Sequence, residues 1–292
     1  MRLRTGIPLA VILLSLFAMG CTPQPTDLPP AEPPPLRVAT YNIRYHNPDD
    51  GEHAWPNRKD RVVSTLQFNH VHLVGMQEVL KDQMDDLAMA LDEYAWIGVG
   101  RDDGKEAGEY SPIFYQPDRL ESLESGTFWL SKNPDIPGSL DWDAAITRIV
   151  TWARFRDLST DSTFYHFNTH FDHRGERARE KSAELIAHRA SRMAGTSPVI
   201  VTGDFNFVES APGYAVLAQS FQDAFYATEQ PHHGPSGTFS GFELGATELN
   251  RRIDYIFVQN EVRVLQHAIL SDHWNGAYSS DHLAVVATVQ LP

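Results

Sequence analysis

The sequence predicts an α/β protein of the α+β type: two packed mixed β-sheets flanked by helices, a four-layer α/β sandwich. Three observations carry this. Strand-like runs outnumber helical ones by about two to one. Many of the strands follow one another directly, which speaks against a regular βαβ alternation. No second Pro/Gly/Ser-rich linker, repeat period or low-complexity block interrupts residues 36–292, a length that one large α/β domain accommodates.

Residues 1–20 precede this fold. Arg2 and Arg4, the uncharged run from Gly6 to Gly20 and the small residues before Cys21 have the pattern of an export signal. The run is short of the roughly 20 residues that a bilayer span needs. "FAMGC" resembles a bacterial lipobox, with Ala18 and Met19 where Leu and a small residue are usual. Cys21 is the single Cys of the chain, so it is expected to carry a lipid, and no disulfide within the chain can form. The plainer alternative is a secretory signal with an incidental Cys. Residues 21–35 contain seven prolines and cannot build a core. They are expected to form an extended tether of about 40 Å.

From Leu36 onward the apolar, β-branched runs 36–43, 71–76, 95–99, 112–115, 120–130, 147–157, 163–169, 198–203, 252–258 and 282–290 read as strands. Helices are expected at 58–69, from Val62, Val63 and Leu66, and at 80–91, from Met84, Leu87, Ala88 and Leu91. The longest is expected at 176–194, where Ala183, Ile186, Ala190 and Met193 make one stripe, and a short one at 211–218. Net charge is −14, which disfavours an unspecific grip on polyanions.

Polar residues collect where these strands end or begin. "SPVIVTGDFNFVES" shows the pattern: an apolar run closes on Gly203-Asp204-Phe205-Asn206. In order along the chain come Asn42 in "TYNIR", Glu78 in "QE", His170 in "NTHFDH", Asp204 and Asn206 in "GDFN", Asp254 in "RIDYIF" and Asp281-His282 in "SDH". Each has a plain structural reading. Glu78 suits a helix N-terminus, and Asp204 and Asn206 suit a turn. Asp254 is harder to dismiss, because an ionised carboxylate inside an apolar strand needs a partner.

In this order the set resembles the endonuclease/exonuclease/phosphatase superfamily over nearly all of Leu36–Leu291, and residues 129–173 resemble a bacterial branch near nocturnin-like and sphingomyelinase-like members. The resemblance implies phosphate ester hydrolysis, which needs an in-line water and neutralisation of charge on the phosphoryl oxygens. Mg²⁺, or Mn²⁺, is the implied cofactor, a hard cation that takes one or two carboxylates and keeps several waters. Glu78 is the implied direct ligand, with Asn42 and Asp281 as ligands or water-mediated contacts. Asp204 would orient and deprotonate the water, and Asn206 would hold that water or a phosphoryl oxygen. His282 would donate to a phosphoryl oxygen, with Asp254 on its other ring nitrogen. His170 would bind the phosphate from the opposite side. The division between base and metal ligand among the acids stays open in the sequence.

For the substrate side the candidates are Arg148, a planar fork suited to phosphate, together with Arg44, Asn168, Asp172 and His173. Trp142 and Asp143 are further candidates for the pocket wall, and Tyr115 for core or rim. Arg44 stands where DNA-repair members carry an acid, which weakens a repair reading. Two other hydrolase classes fail at ligand positions. A metallo-β-lactamase-like H-x-H-x-D-H needs a His where Asn168 stands, and a calcineurin-like GDxxD needs an Asp where Phe207 stands.

The expectation is therefore an exported, lipid-anchored, monomeric phosphoesterase of a bacterial cell envelope, acting on small phosphorylated molecules, mono- or diesters. A nuclease or a sphingomyelinase-like phosphodiesterase is the alternative within the class. The loop 271–280 holds Trp274 and Tyr278 but is short and polar, a poor membrane hairpin. A non-catalytic binding lipoprotein on the same fold is the alternative of another class; the presence of Glu78, Asp204 and His282 speaks against it.

Overall fold

The computed structural model describes residue 6, residues 33–245 and residues 251–292. The rest of the export signal, Cys21 and most of the tether fall outside the described residues. The strands are β1 (Leu36–Asn42), β2 (Leu73–Gln77), β3 (Ala95–Ile97), β4 (Ile113–Tyr115), β5 (Leu120–Trp129), β6 (Ile149–Asp157), β7 (Thr163–His170), β8 (Val199–Asp204), β9 (Gln222–Asp223), β10 (Asp254–Gln259), β11 (Arg263–Ile269) and β12 (Val285–Gln290). The helices are α1 (Lys59–Phe68), α2 (Lys81–Ala90), α3 (Glu176–Ala194), α4 (Pro212–Ala218) and α5 (Ala224–Ala227).

Two six-stranded sheets form, in the orders β11-β12-β1-β2-β4-β3 and β5-β6-β7-β8-β10-β9. Each has one parallel pair at its centre, β1 with β2 and β7 with β8, flanked by antiparallel neighbours. The sequence explains the central positions. β1, β8 and β10 read as almost continuous apolar runs because both of their faces are covered, and nearly every residue in them is buried.

Three apolar clusters separate four layers. Val62, Leu66, Met84 and Leu87 of α1 and α2 pack on Ala39, Tyr41, Val74 and Met76, the outer face of the first sheet. Ala183, Ile186 and Ala190 of α3 pack on Phe167, Val199, Val201 and Phe257, the outer face of the second. Between the sheets lie Val38, Leu73, Phe155, Phe164, Ile200, Ile256 and Val285. Each such side chain contributes about 1.5–3 kcal/mol of burial, so the layering follows from which face of each element is apolar.

The four expected helices form within a residue or two of their expected bounds. The last strand starts at Val285, three residues later than expected, because residues 281–284 are drawn aside: Ser240 N–H donates to Asp281 O (2.8 Å) and Leu283 N–H to Thr238 O (2.7 Å). β11 was not anticipated. Its run "RVLQHAI" lacks clean alternation because the pairing with β12 shifts between Val264 and Gln266, and it buries a histidine, His267.

Candidate active site

Strand register assembles the polar residues. β1 and β2 align Asn42 with Gln77, which brings the next residue, Glu78, beside Asn42. In the second sheet β7 aligns His170 with Asp204, and β10 aligns Asp254 with Asp204, so three residues form one row. Asn42 then joins the sheets: its Nδ2 donates to Glu78 Oε1 (3.0 Å) and to Asp204 Oδ2 (2.9 Å). Asp281 and His282 enter ahead of β12, with His282 Nδ1 2.9 Å from Asp254 Oδ2. These groups meet at a cavity of about 470 Å³ whose lining includes Arg44, Glu78, Glu109, Arg148, His170, Asp204, Asn206, Asp281 and His282.

The rim backbone is strained where the chemistry is. Arg44, Glu78 and Asn206 take positive φ of 58°, 62° and 51°. For a side chain bulkier than Asn this costs on the order of 1–3 kcal/mol and persists only where surroundings enforce it. Two of the three are enforced by side chains of the site itself. Arg44 N–H donates to Asn42 Oδ1 (3.0 Å), and Asn206 N–H to Asp204 Oδ1 (2.9 Å). The loop after β1 is braced from below by buried Arg58, which donates to the carbonyls of Ile43, Arg44 (2.5 Å) and His53 (2.8 Å). Gln83 of α2 adds bonds from Nε2 to Arg44 O (3.0 Å) and from His46 N–H to Oε1 (2.9 Å).

Electrostatics divide the labour. Burial, then repulsion from Asp254, pushes the Asp204 carboxyl up to about 7. Burial alone would strip the His282 proton, but the Asp254 and Asp204 carboxylates outweigh it and hold His282 well above the usual histidine range. His282 is thus an imidazolium that donates to Asp254 through Nδ1 and presents Nε2–H at the cavity, 3.8 Å from Asp204 Oδ2. His170 is the opposite case. Burial and the nearby Arg148 and Arg101 drive it well below the usual range, so it is neutral. Asn206 Nδ2 lies 2.9 Å from His170 Nε2 and donates there, which leaves the ring proton on Nδ1.

Glu78, His170 and Asp204 bring one ligand atom each to within 4.8 Å of one another, as do Asp204, Asp254 and His282. The second group is spoiled by the His282 proton, since an imidazolium has no lone pair for a metal. The first loses His170, whose Nε2 accepts from Asn206 and whose Nδ1 carries the proton, so a divalent cation there would rest on the carboxylate oxygens of Glu78 and Asp204, which suit a hard cation. Asp281 lies outside both groups but lines the same cavity. Its carboxyl is raised by burial, with the His282 charge opposing the rise and the Glu78 charge adding to it.

Several expectations change. Asn42 turns its amide nitrogen towards the acids, and its Oδ1 accepts the Arg44 N–H. Asn168 lies beneath the site rather than in its wall. It is fully buried, donates to Met76 O (2.8 Å) and Pro112 O (2.9 Å), and accepts from Gln77 Nε2 (2.7 Å) and Thr202 Oγ1 (3.1 Å). Asp172 spends both oxygens on backbone N–H groups of Ala145, Ile146, Arg174 and Gly175, and so shapes a loop outside the cavity lining. Asp143 caps α3 from a distance, accepting from Arg177 N–H (3.2 Å) and Ala178 N–H (2.6 Å). The Arg44 fork is committed to Asp50, with both contacts at 2.9 Å. Arg148 and His173 do reach the cavity.

Several wall residues escaped the sequence, among them Tyr45, Phe239, Arg251 and the acid Glu109. Glu109 lines the cavity, 2.6 Å from Arg101 Nη1 and 4.0 Å from His170 Nδ1, and burial raises its carboxyl against the pull of Arg101. It sits in "RDDGKEAGEY", a charged run that reads as a solvated loop.

Residues 39–282 match the model of the Endonuclease/Exonuclease/phosphatase family. The chain belongs to this family. A solved Bacteroides vulgatus endonuclease/exonuclease/phosphatase is 42% identical, covers 88% of this chain and 99% of its own, and superposes with a TM-score of 0.84. A mannosyl-6-phosphatase from Bacteroides thetaiotaomicron is 34% identical, with coverage of 88% and 100% and a TM-score of 0.84. The human Nocturnin catalytic domain, 20% identical with coverage of 89% and 94%, shares the fold at a TM-score of 0.69. The family member described here is a metal-dependent hydrolase of phosphate esters.

Proposed function

We propose that this enzyme releases phosphate from a small phosphorylated molecule, a sugar phosphate foremost, by in-line attack of water. The observation that carries the reading is the row His170, Asp204, Asp254 with protonated His282 closing it. A neutral-range acid stands beside a fixed donor, which are the base and the electrostatic stabiliser that the reaction needs. The 34%-identical mannosyl-6-phosphatase supports a sugar phosphate as the substrate end.

Glu78 would hold Mg²⁺, with Asp281 beside it, and the cation would supply positive charge to the phosphoryl oxygens. Asp204 takes the proton of the attacking water. Asn206 orients that water, and His282 Nε2–H donates to a phosphoryl oxygen as its charge grows. Water oxygen bonds to phosphorus as the ester P–O bond breaks, the ester oxygen takes up a proton from solvent and leaves as an alcohol, and phosphate is the second product. Export and a lipid on Cys21, both supported by residues 1–35 of the sequence, complete the reading, together with a monomeric state.

The test is phosphate release from hexose phosphates, mononucleotides, inositol phosphates, sphingomyelin and single- and double-stranded DNA, each with Mg²⁺, Mn²⁺ or EDTA. Release from small phosphates with either metal, abolished by EDTA, is expected. No hydrolysis of any substrate with either metal overturns the reading. Cys21→Ser is expected to release the protein from membranes; persistent attachment refutes the anchor.

A further inference from the structure

We infer that Arg148 is the specificity-determining residue of the cavity: it reads the second negative charge of a terminal phosphate, so that monoesters are taken in preference to diesters. The inference rests on the phosphoesterase reading above.

Arg148 precedes β6 and lines the cavity, yet it is only 5% exposed. Its guanidinium is largely unspent. Nη2 donates to His173 Nδ1 (3.2 Å), while Nε and Nη1 have no hydrogen-bond partner. Asp172 Oδ2 is 3.9 Å from Nε, beyond hydrogen-bond reach, and is already occupied by the N–H groups of Ala145 and Ile146. Glu109, the other acid on this wall, is bonded to Arg101 at 2.6 Å. A buried cation with free donors is costly unless something else supplies the acceptors. Nε and Nη1 are closed to solvent, so they meet a ligand when the guanidinium turns into the cavity.

The form of the ligand follows from charge and shape. His282, Asn206 and the cation site at Glu78 and Asp281 already serve the reacting centre and one charge of a phosphoryl group. Arg148 adds a further fixed cation on the His170 side. A monoester dianion brings a second charge and three terminal oxygens, two of which match the planar fork. A diester brings one charge and sets a carbon substituent against buried donors, which then stay unpaired.

The experiment compares 4-nitrophenyl phosphate with bis(4-nitrophenyl) phosphate, in Mg²⁺, for the wild type, Arg148→Gln and Arg148→Lys, with melting curves for each. In Arg148→Gln the ratio of monoester to diester kcat/KM is expected to fall by about 30-fold or more. Arg148→Lys keeps the charge but loses the fork, and is expected to fall between. A second arm needs no variant: inorganic phosphate should inhibit the wild type at least about tenfold more tightly than dimethyl phosphate, which carries one charge. Equal losses on both esters in a folded variant, or equal inhibition by both anions, overturn the inference and leave the phosphoesterase reading standing. Wild-type protein that hydrolyses neither of these esters nor any phosphate of the panel above removes the reading itself.

Discussion

Replacing Asp254 by Asn tests the centre of the mechanism with a change of one atom. In the wild type His282 is fully buried among acids, and its second proton is retained only because carboxylates outweigh burial. Asn removes the largest of those charges while keeping the shape. The Asp254 Oδ2–His282 Nδ1 contact of 2.9 Å is then made by an amide, and the ring becomes neutral. If the amide oxygen takes that place, the single ring proton stays on Nδ1 and Nε2 faces the phosphate without a hydrogen. Losing one such donor costs about 2.7–4 kcal/mol, or 10²–10³ in kcat. If the amide nitrogen takes it, Nε2–H survives as a neutral donor, roughly half as strong, and the loss falls to about tenfold. The first arrangement is favoured, since a neutral imidazole whose Nδ1–H donates to the amide oxygen keeps the wild-type bond direction. A loss of about 100-fold in kcat with little change in KM is therefore expected, measured by steady-state phosphate release in saturating Mg²⁺. A folded Asp254→Asn enzyme within threefold of wild-type kcat would refute the reasoning.

Three other perturbations have defined outcomes. Asp204→Asn removes the base and is expected to lower kcat by about 10² or more, with far-UV circular dichroism and melting intact, because the change relieves repulsion between buried acids; near-full turnover excludes Asp204 as base. Gly75→Ala would set a Cβ 2.2 Å from Thr202 Oγ1 and 2.3 Å from Asn168 Oδ1, side chains held in a bonded network. It should cost about 3 kcal/mol, and a melting point within 2 °C of wild type contradicts the close approach of the sheets. Acid should unfold the protein partly through His166, which burial lowers from 6.5 to about 3. The folded state then binds fewer protons than the unfolded one, so this stability is complete above pH 6.5 and is lost as pH falls towards 3. The full window is worth up to about 5 kcal/mol, and the gap between urea midpoints of wild type and His166→Gln should narrow across it; parallel curves would count against a neutral buried His166.

What the sequence shows and what it hides follow physical lines. The core strands are legible because burial on both faces writes long apolar runs, and the helices because one-sided burial writes a stripe. Asn42, Glu78, His170, Asp204, Asp254 and His282 are legible as an ordered set that resembles the family, since each alone has a plain structural reading. Glu109 is not, because its burial comes from the fold of a charged loop pinned elsewhere, with Trp129 Nε1 donating to Arg101 O at 2.6 Å. The misplacement of Asn168 and Asp172 has one cause. A motif gives position along the chain, whereas a side chain's partner depends on the opposing sheet or loop, here Met76, Pro112 and the 145–146 turn.

The polar floor beneath the cavity explains why the site is placed so sharply. Gln77 Nε2 donates to Thr40 Oγ1 (3.0 Å) and to Asn168 Oδ1 (2.7 Å), and Thr202 Oγ1 joins Asn168 (3.1 Å) while His166 Nε2 reaches Thr202 at 2.8 Å. An apolar floor would hold the sheets together but tolerate sliding. This one does not, because a one-residue slip of β7 against β8 turns Asn168 to the opposite face and leaves buried donors unpaired. The same slip would set Thr169 or Phe171 beside Asp204 in place of His170. Register that satisfies the floor is thus the register that aligns His170, Asp204 and Asp254. The cost of burying amides and hydroxyls under the site is offset by the precision it imposes on the carboxyl ends of both parallel pairs, where Asn42, Glu78, His170 and Asp204 must meet.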